Sequence, residues 1–94
     1  MNKDKFFQYL NNARPKNYGV DFVNTQLQTL EEMKANECMN PEDERMSLDI
    51  ICSALSYYLS TSPEGYGEDI IKIVERLETI YGLDNLFYEL FETS

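Results

Sequence analysis

The chain has 94 residues, 43% of them hydrophobic, which predicts a single globular domain over residues 1–94. Its 17 acidic residues outnumber its 8 basic residues, and the resulting formal charge of −9 disfavours nonspecific contact with nucleic acid or an anionic membrane. No apolar run is long enough for a membrane span or a secretory signal. The two cysteines form no C-x-x-C pair, so we expect a reduced, cytoplasmic setting.

The charge is distributed unevenly along the chain. Residues 1–20 carry the bases Lys3, Lys5, Arg14 and Lys16 against the single acid Asp4. Residues 21–94 carry four bases and sixteen acids. A basic N-terminal segment therefore precedes a strongly acidic body. The acidity either keeps a small protein soluble or meets a basic partner, and the sequence leaves both interpretations open.

The first two predicted helices follow the spacing of apolar residues. The first covers roughly 4–13 and stops before Pro15, because proline disfavours the helical conformation in the residue that precedes it. The second covers roughly 21–36, with Val23, Leu27 and Leu30 on its apolar stripe. Its opposite face is expected to be solvated and consists of Asn24, Thr25, Gln28, Glu31, Glu32 and Ala35.

Capping residues mark the remaining helices. Asn40 and Pro41 predict the start of a third helix that runs to about residue 60. A fourth starts at Ser62 or nearer Glu68 and ends at Gly82, and a last short helix is expected to begin after a cap at Asp84. No strand pattern competes with these segments. The sequence therefore predicts an all-α fold, a compact single-domain bundle of about five short helices.

The groups that common catalytic and metal sites need are missing or unsuitably spaced. The chain has no histidine, so it lacks the usual general base at neutral pH. Two cysteines fourteen positions apart make no zinc site, and Cys52 shares a face with apolar residues, which predicts a buried thiol. Acidic pairs at helix starts are explained by the helix dipole. We therefore expect a protein that is not an enzyme and uses no metal or cofactor.

The third helix carries two apolar stripes. One is an ordinary core face that includes Leu48, Ile51 and Leu55. The second consists of Met46, Ile50, Ala54 and Tyr57. A helix that is apolar on two sides is either central in its bundle or half-exposed at an interface. In the second alternative Met46, Ile50 and Tyr57, joined by Ile71 of the fourth helix, form a homo-oligomer or partner surface.

A tyrosine-rich, acidic stretch follows the third helix. Tyrosine offers a large, stiff contact area, and carboxylates can meet arginine and lysine of a partner. The predicted partner-binding residues are Tyr57, Tyr58, Glu64, Tyr66, Glu68 and Asp69. Over residues 57–72 the chain resembles the immunity proteins of the nuclease colicins, which carry a Tyr-Tyr pair ahead of a Ser-Pro-Glu-Gly helix start. The resemblance is one of site chemistry and implies an inhibitor that docks on a basic protein.

The N-terminal segment places bases beside aromatic rings. Such groups can hold a nucleotide or another anion, and the candidate contacts are Lys5, Arg14, Lys16 and Tyr18. The alternative is that these bases pair with the acidic body of the chain or with a neighbouring subunit.

Three functions follow from these features. The first is an acidic inhibitor or adaptor that neutralises a basic, nucleic-acid-handling protein, of the toxin-immunity or phage counter-defence type. The second is an oligomer that binds or sequesters a small ligand such as a nucleotide. The third is a structural or assembly subunit. None of the three requires direct binding of nucleic acid or membrane.

Overall fold

The computed structural model describes residues 2–61 and 67–91. Within these ranges the chain forms four helices of ten or more residues and a short fifth helix, and it forms no strand. The helices are α1 (Lys3–Asn12), α2 (Val20–Ala35), α3 (Pro41–Thr61), α4 (Glu68–Tyr81) and α5 (Leu86–Phe91). The predicted compact all-α bundle is confirmed. No helix in the described part of the chain is long and apolar enough to cross a membrane.

Local capping chemistry places the predicted helix boundaries within a few residues. The side-chain oxygen of Asn40 accepts hydrogen bonds from the amides of Glu42 (2.9 Å) and Asp43 (3.3 Å), so Asn40 is the N-cap of α3 as predicted. Gly82 ends α4 in the left-handed conformation, with φ 64° and ψ 38°. Residues that leave the helix in this way satisfy carbonyl groups of the last turn, here that of Glu78.

The two predicted starts near the C-terminal end have different outcomes. α4 begins at Glu68, and the alternative start at Ser62 lies outside the described residues. α5 begins at Leu86, where the carbonyl of Asn85 accepts the amide of Glu89 at 3.0 Å. The residue before α5 is therefore Asn85, and the predicted cap at Asp84 was one position too early. Asn85 has a φ of 61°, a left-handed conformation that asparagine tolerates better than most residues.

One apolar core joins all five helices. Its fully buried side chains come from each of the four long helices and from α5, and burying each large one contributes about 1.5–3 kcal/mol of transfer free energy. The largest are Phe6, Leu27, Leu30, Leu48, Ile51, Leu55, Ile73, Leu77 and Leu86. Ser47 is a buried polar residue of this interior, and its hydroxyl bonds the side-chain oxygen of Gln26 at 3.2 Å.

The helix order in space differs from the order in sequence. α2 packs against both α3 and α4, α1 packs on α3, and α5 packs on α4. The bond between Gln26 and Ser47 fixes the register of α2 against α3, which run antiparallel because a short turn joins them. Both α2 and α3 are therefore packed on two sides. This arrangement accounts for Ala54 of the second α3 stripe, which is fully buried.

Polar contacts tie distant helices together at their ends. The ammonium group of Lys34, in the last turn of α2, donates to the carbonyls of Thr79 (3.2 Å) and Ile80 (2.7 Å) at the end of α4. The Tyr81 hydroxyl donates to the Glu44 carboxylate at 2.7 Å, which links α4 to the start of α3. Without Lys34 the carbonyls of Thr79 and Ile80 would need water as a partner, because the last carbonyls of a helix have no partner inside it.

Candidate functional site

The predicted partner-binding stretch is divided between core and surface. Tyr57 is half-buried, and its ring meets that of Tyr58 edge-on with centroids 6.2 Å apart. Tyr58 itself is only 8% exposed, so it supports the surface from the core and offers a partner almost no area. Glu68 and Asp69 are exposed in the first turn of α4. Glu64 and Tyr66 lie outside the described residues.

The buried hydroxyl of Tyr58 has no hydrogen-bond partner among the described residues. Burial also raises the pKa of this phenol above its ordinary value, because the charged form would lose its hydration. An unpaired buried hydroxyl costs free energy relative to a paired one. Tyr58 is therefore a neutral packing residue with no acid–base role near neutral pH.

The predicted anion-binding residues lie at opposite ends of α1. Lys5 lines a cleft of about 360 Å³ between α1 and α3, together with Gln8, Tyr9, Asn12 and Asp49. Arg14 is exposed in the linker beyond the end of α1, and Lys5 and Asn12 are already roughly 10 Å apart along that helix at 1.5 Å per residue. Of the two predicted residues, Lys5 lines the cleft and Arg14 does not. The Asp49 carboxylate in the same cleft also repels an anion.

The linker between α1 and α2 contains the other two predicted anion-binding residues, Lys16 and Tyr18. The amide of Lys16 donates to the carbonyl of Ser53 on α3 at 3.1 Å. Its ammonium group lies 5.0 Å from the centroid of the Tyr18 ring, within the range of a cation–π contact. The Tyr18 ring in turn lies 5.6 Å from that of Phe22, the exposed aromatic in the first turn of α2. The Lys16 ammonium group and the rings of Tyr18 and Phe22 therefore form one cluster, in which the lysine makes the cation–π contact.

The predicted oligomer surface is partly exposed. Met46 is 64% exposed, and Ile50, one helical turn later, is half-buried. Tyr57 continues the same strip of α3, since residues 46, 50 and 57 have helical spacing. Ile71 is half-buried on α4, a separate helix that packs on α2 and α5. The exposed apolar area is therefore centred on Met46 and Ile50.

Sequence reasoning missed two features of α2, one exposed aromatic residue and one polar contact with α4. Phe22 is 44% exposed next to the predicted apolar stripe of α2, and only its position one residue before Val23 could have signalled it. The polar face of α2 was expected to be solvated, and part of that prediction was wrong. Arg76 of α4 bonds the Glu31 carboxylate with Nε and Nη2 and the Asn24 side-chain oxygen with Nη1. Asn24 and Glu31 therefore face α4.

A second cleft separates the end of α2 from the start of α3. It has a volume of about 340 Å³ and combines two carboxylates, an apolar floor and several amide or hydroxyl groups. Its lining residues are Thr29, Glu32, Met33, Asn36, Cys38, Asn40 and Asp43. No lysine or arginine lines it, so the cleft is acidic.

The nucleophilic and metal-ligating groups are dispersed. Burial raises the pKa of the Cys52 thiol to about 12, with a smaller contribution from Asp49, so this sulfur stays protonated at neutral pH. Cys38 is exposed and free. No three histidine, cysteine or acidic side chains come together as a metal site within residues 2–61 and 67–91.

Comparison of the chain with models of known protein families, with curated proteins and with solved structures found no match. No role of a residue is therefore transferred from a relative. The features that bear on function are the chain's own: exposed carboxylates, an exposed apolar strip on α2 and α3, and two clefts.

Proposed function

We propose that the chain is a non-enzymatic binding protein, an acidic inhibitor or adaptor that covers the basic surface of a nucleic-acid-handling protein. The supporting observation is a set of exposed carboxylates on α4, contributed by Glu68, Asp69 and Glu75. They belong to neither of the two ion pairs that the described side chains form, Lys3–Glu89 and Arg76–Glu31. We call these three residues the α4 carboxylates.

Ion pairs within the chain remove one acid and one base each, so the excess of acidic over basic residues remains. Lys3 and Arg76 are bound to carboxylates, and Lys34 is bound to the terminal carbonyls of α4. On α4 the exposed Lys72 lies about one turn from each of the α4 carboxylates and offsets one of their three charges, so the helix surface keeps a net negative charge. A protein surface that binds phosphates is rich in lysine and arginine, and carboxylates complement it and accelerate the encounter with it. Toxin immunity and phage counter-defence are the settings in which such an inhibitor acts.

A reducing, cytoplasmic location goes with this proposal. Both cysteines are free thiols, and Cys38 is exposed. An exposed thiol persists in the reduced state where cellular thiol systems keep it reduced. The partner would then be met before or during its action on nucleic acid inside the cell.

Affinity capture with charge-matched variants tests the proposal. The immobilised chain is exposed to an extract of the cells that make it, and retained proteins are identified by mass spectrometry. We expect basic nucleic-acid-handling proteins, released at roughly 1 M salt, where the Debye length is about 3 Å. The variant Glu68→Gln/Asp69→Asn/Glu75→Gln should lose them. The control Asp4→Asn/Glu37→Gln/Asp84→Asn removes the same net charge from exposed positions elsewhere and should retain them.

The result that rejects the proposal is equal retention by the two triple variants. Equal retention would mean that net charge alone drives capture and that the α4 carboxylates are not a binding surface. Retention of no basic protein by the unmodified chain would reject the inhibitor function as well. Inhibition is measured separately, as loss of nucleic-acid binding or cleavage by the captured protein when the chain is added.

The α1–α3 cleft supports a second candidate, the binding of a small ligand. Its volume of about 360 Å³ lies within the usual range of ligand pockets, and Lys5, Tyr9 and Asn12 offer charge, an aromatic ring and an amide. Because Asp49 adds a carboxylate, a ligand with both charges suits the cleft better than a nucleotide phosphate does. A thermal-shift screen that includes nucleotides and amino acids tests this candidate, and Lys5→Met should abolish any shift that the cleft produces.

A further inference from the structure

The outer side of the α2–α3 pair carries an exposed apolar strip. Its members are Phe22 on α2 and Met46 and Ile50 on α3, and the Tyr18 ring lies beside that of Phe22 at an angle of 38°. Two of them, Phe22 and Met46, are among the most exposed large hydrophobic residues of the described chain. Large apolar side chains left in contact with solvent are typical of binding surfaces.

The register of α2 and α3 makes this strip continuous. Gln26 bonds Ser47 across the helix pair. Phe22 precedes Gln26 by one turn and Ile50 follows Ser47 by about one turn, so in an antiparallel pair they lie at the same level. Met46 lies one turn from Ile50 in the direction of the acidic cleft.

Two threonine hydroxyls on this side of α2 are already hydrogen-bonded within the helix. The hydroxyls of Thr25 and Thr29 donate to the carbonyls one turn earlier, at 3.1 Å in both cases. A partner that covers them therefore leaves no hydroxyl without a hydrogen bond, and the cost of removing water is reduced.

Carboxylates surround the strip and give it a direction. Glu32 and Asp43 line the cleft at one end, and Asp21 is exposed next to Phe22. The base nearest the other end is Lys16, whose ammonium group is directed at the Tyr18 ring. No lysine or arginine lines the cleft, so the end of the strip at Glu32 and Asp43 is acidic, and Lys16 lies at the opposite end. Phe22 and Glu32 are roughly 15 Å apart along the helix at 1.5 Å per residue.

We propose that the apolar strip and the adjoining acidic cleft of α2 and α3, together called the groove, bind a basic amphipathic helix of the protein partner. Apolar side chains of that helix pack on Phe22, Met46 and Ile50, and lysine or arginine side chains two to three turns away enter the cleft of Glu32 and Asp43. A helix lying in the groove between two antiparallel helices is a recurrent recognition geometry. Charge complementarity selects this occupant, because three carboxylates border an apolar strip. The proposal rests on the proposed function and specifies the partner segment for it.

A model peptide tests the docking site without a known partner. The probe is a fluorescently labelled peptide of about 18 leucine and lysine residues arranged with helical period, a length at which isolated helices become stable enough to study. Two control peptides have glutamate in place of lysine, or the same leucine and lysine residues in strict alternation. Binding to the full chain is measured by fluorescence anisotropy. The contact residues are mapped by backbone amide NMR shifts.

We expect the chain to bind the helical basic peptide and to bind the two control peptides at least about tenfold more weakly. Met46→Asp should reduce affinity by about tenfold or more, since it places a charge in the apolar contact. Glu32→Gln/Asp43→Asn should reduce affinity by about threefold to tenfold and make binding less dependent on salt. The matched controls Tyr88→Ser and Asp84→Asn alter an exposed aromatic and an exposed carboxylate outside the groove and should leave affinity within about twofold.

Distinct outcomes overturn the groove and the proposed function. If capture of basic proteins depends on the α4 carboxylates while the peptide does not bind, or binds with shifts away from α2 and α3, the groove proposal fails and the proposed function stands. Equal affinity of Met46→Asp and Tyr88→Ser for the peptide also overturns the groove proposal. If the chain self-associates in light scattering and Met46→Asp abolishes this, a second copy occupies the groove and the proposal is likewise wrong.

Discussion

Arg76 on α4 holds the carboxylate of Glu31 on α2 through two hydrogen bonds, and the same guanidinium bonds Asn24 at 3.1 Å. The hydrogen bond from Arg76 holds the pKa of the Glu31 carboxyl below its usual value of 4.5. The folded state therefore favours the ionised acid more than the unfolded state does. The stabilisation is present above the unfolded pKa and is lost as the pH falls through the folded pKa.

Removing this guanidinium should destabilise the fold most where Glu31 is ionised. We expect Arg76→Met to lower the free energy of unfolding by about 1 kcal/mol at pH 7, a modest cost because both side chains are roughly one-third exposed (32% and 39%). At about pH 3 the difference from the unmodified chain should shrink. Urea unfolding at the two pH values measures it, and Lys72→Met, an exposed lysine of the same helix, is the control. An equal loss at both pH values contradicts the prediction.

The contacts of Arg76 illustrate what the sequence could and could not predict about the fold. The start of α3 at Asn40–Pro41 and the end of α4 at Gly82 were predictable, because caps depend on neighbouring residues. The partner of Glu31 was not, because it depends on which helices pack together. Two polar residues spaced by seven on α2 indicate one face but do not say whether water or another helix covers it.

Lys34 provides a second test of how the helix ends are joined. Its ammonium group donates to the last carbonyls of α4, where the helix dipole is negative. We expect Lys34→Met to lower the free energy of unfolding by about 1 kcal/mol and Lys34→Arg to lower it less, since arginine keeps the charge and the donors. Chemical denaturation at low salt measures both. Equal destabilisation by the two substitutions would show that the bonds to Thr79 and Ile80 contribute little.

Tyr81 should make the fold sensitive to alkaline pH. Burial raises the pKa of its phenol, and the hydrogen bond to the Glu44 carboxylate raises it further. The folded state then keeps a proton that the unfolded chain releases above its ordinary pKa of 10.0. Stability therefore falls as the pH rises beyond about 10.

The substitution Tyr81→Phe separates these effects. At pH 8 it should destabilise the chain by about 1 kcal/mol, because the hydrogen bond to Glu44 is lost. Between pH 8 and about pH 11 the variant should lose less stability than the unmodified chain, since phenylalanine has no proton to release. Thermal unfolding followed by circular dichroism measures both slopes. Parallel pH profiles would contradict the assignment of the alkaline loss to Tyr81.

The candidate site could be predicted only in part. The strip of Met46 and Ile50 followed from helical spacing within one helix. Its partner Phe22 did not, because the exposed face of α2 is defined by how α3 packs beside it. Lys5 and Arg14 were grouped by their proximity in sequence, and the length of α1 separates them. Features within one helix were therefore predictable, and features shared between helices were not.

The two thiols should differ sharply in reactivity. Cys38 is exposed, whereas Cys52 is fully buried with a thiol pKa of about 12. At pH 8 only roughly one Cys52 sulfur in ten thousand would be the reactive thiolate, and burial restricts the reagent further. With a chromogenic disulfide reagent we expect one fast thiol per native chain and two in denaturant.

The substitution Cys38→Ser should remove the fast reaction without changing the slow one. In this variant the slow reaction of Cys52 should depend on opening of the core, so a substitution that weakens the core, such as Leu27→Ala, should accelerate it. Two fast thiols in the native chain would contradict the burial of Cys52.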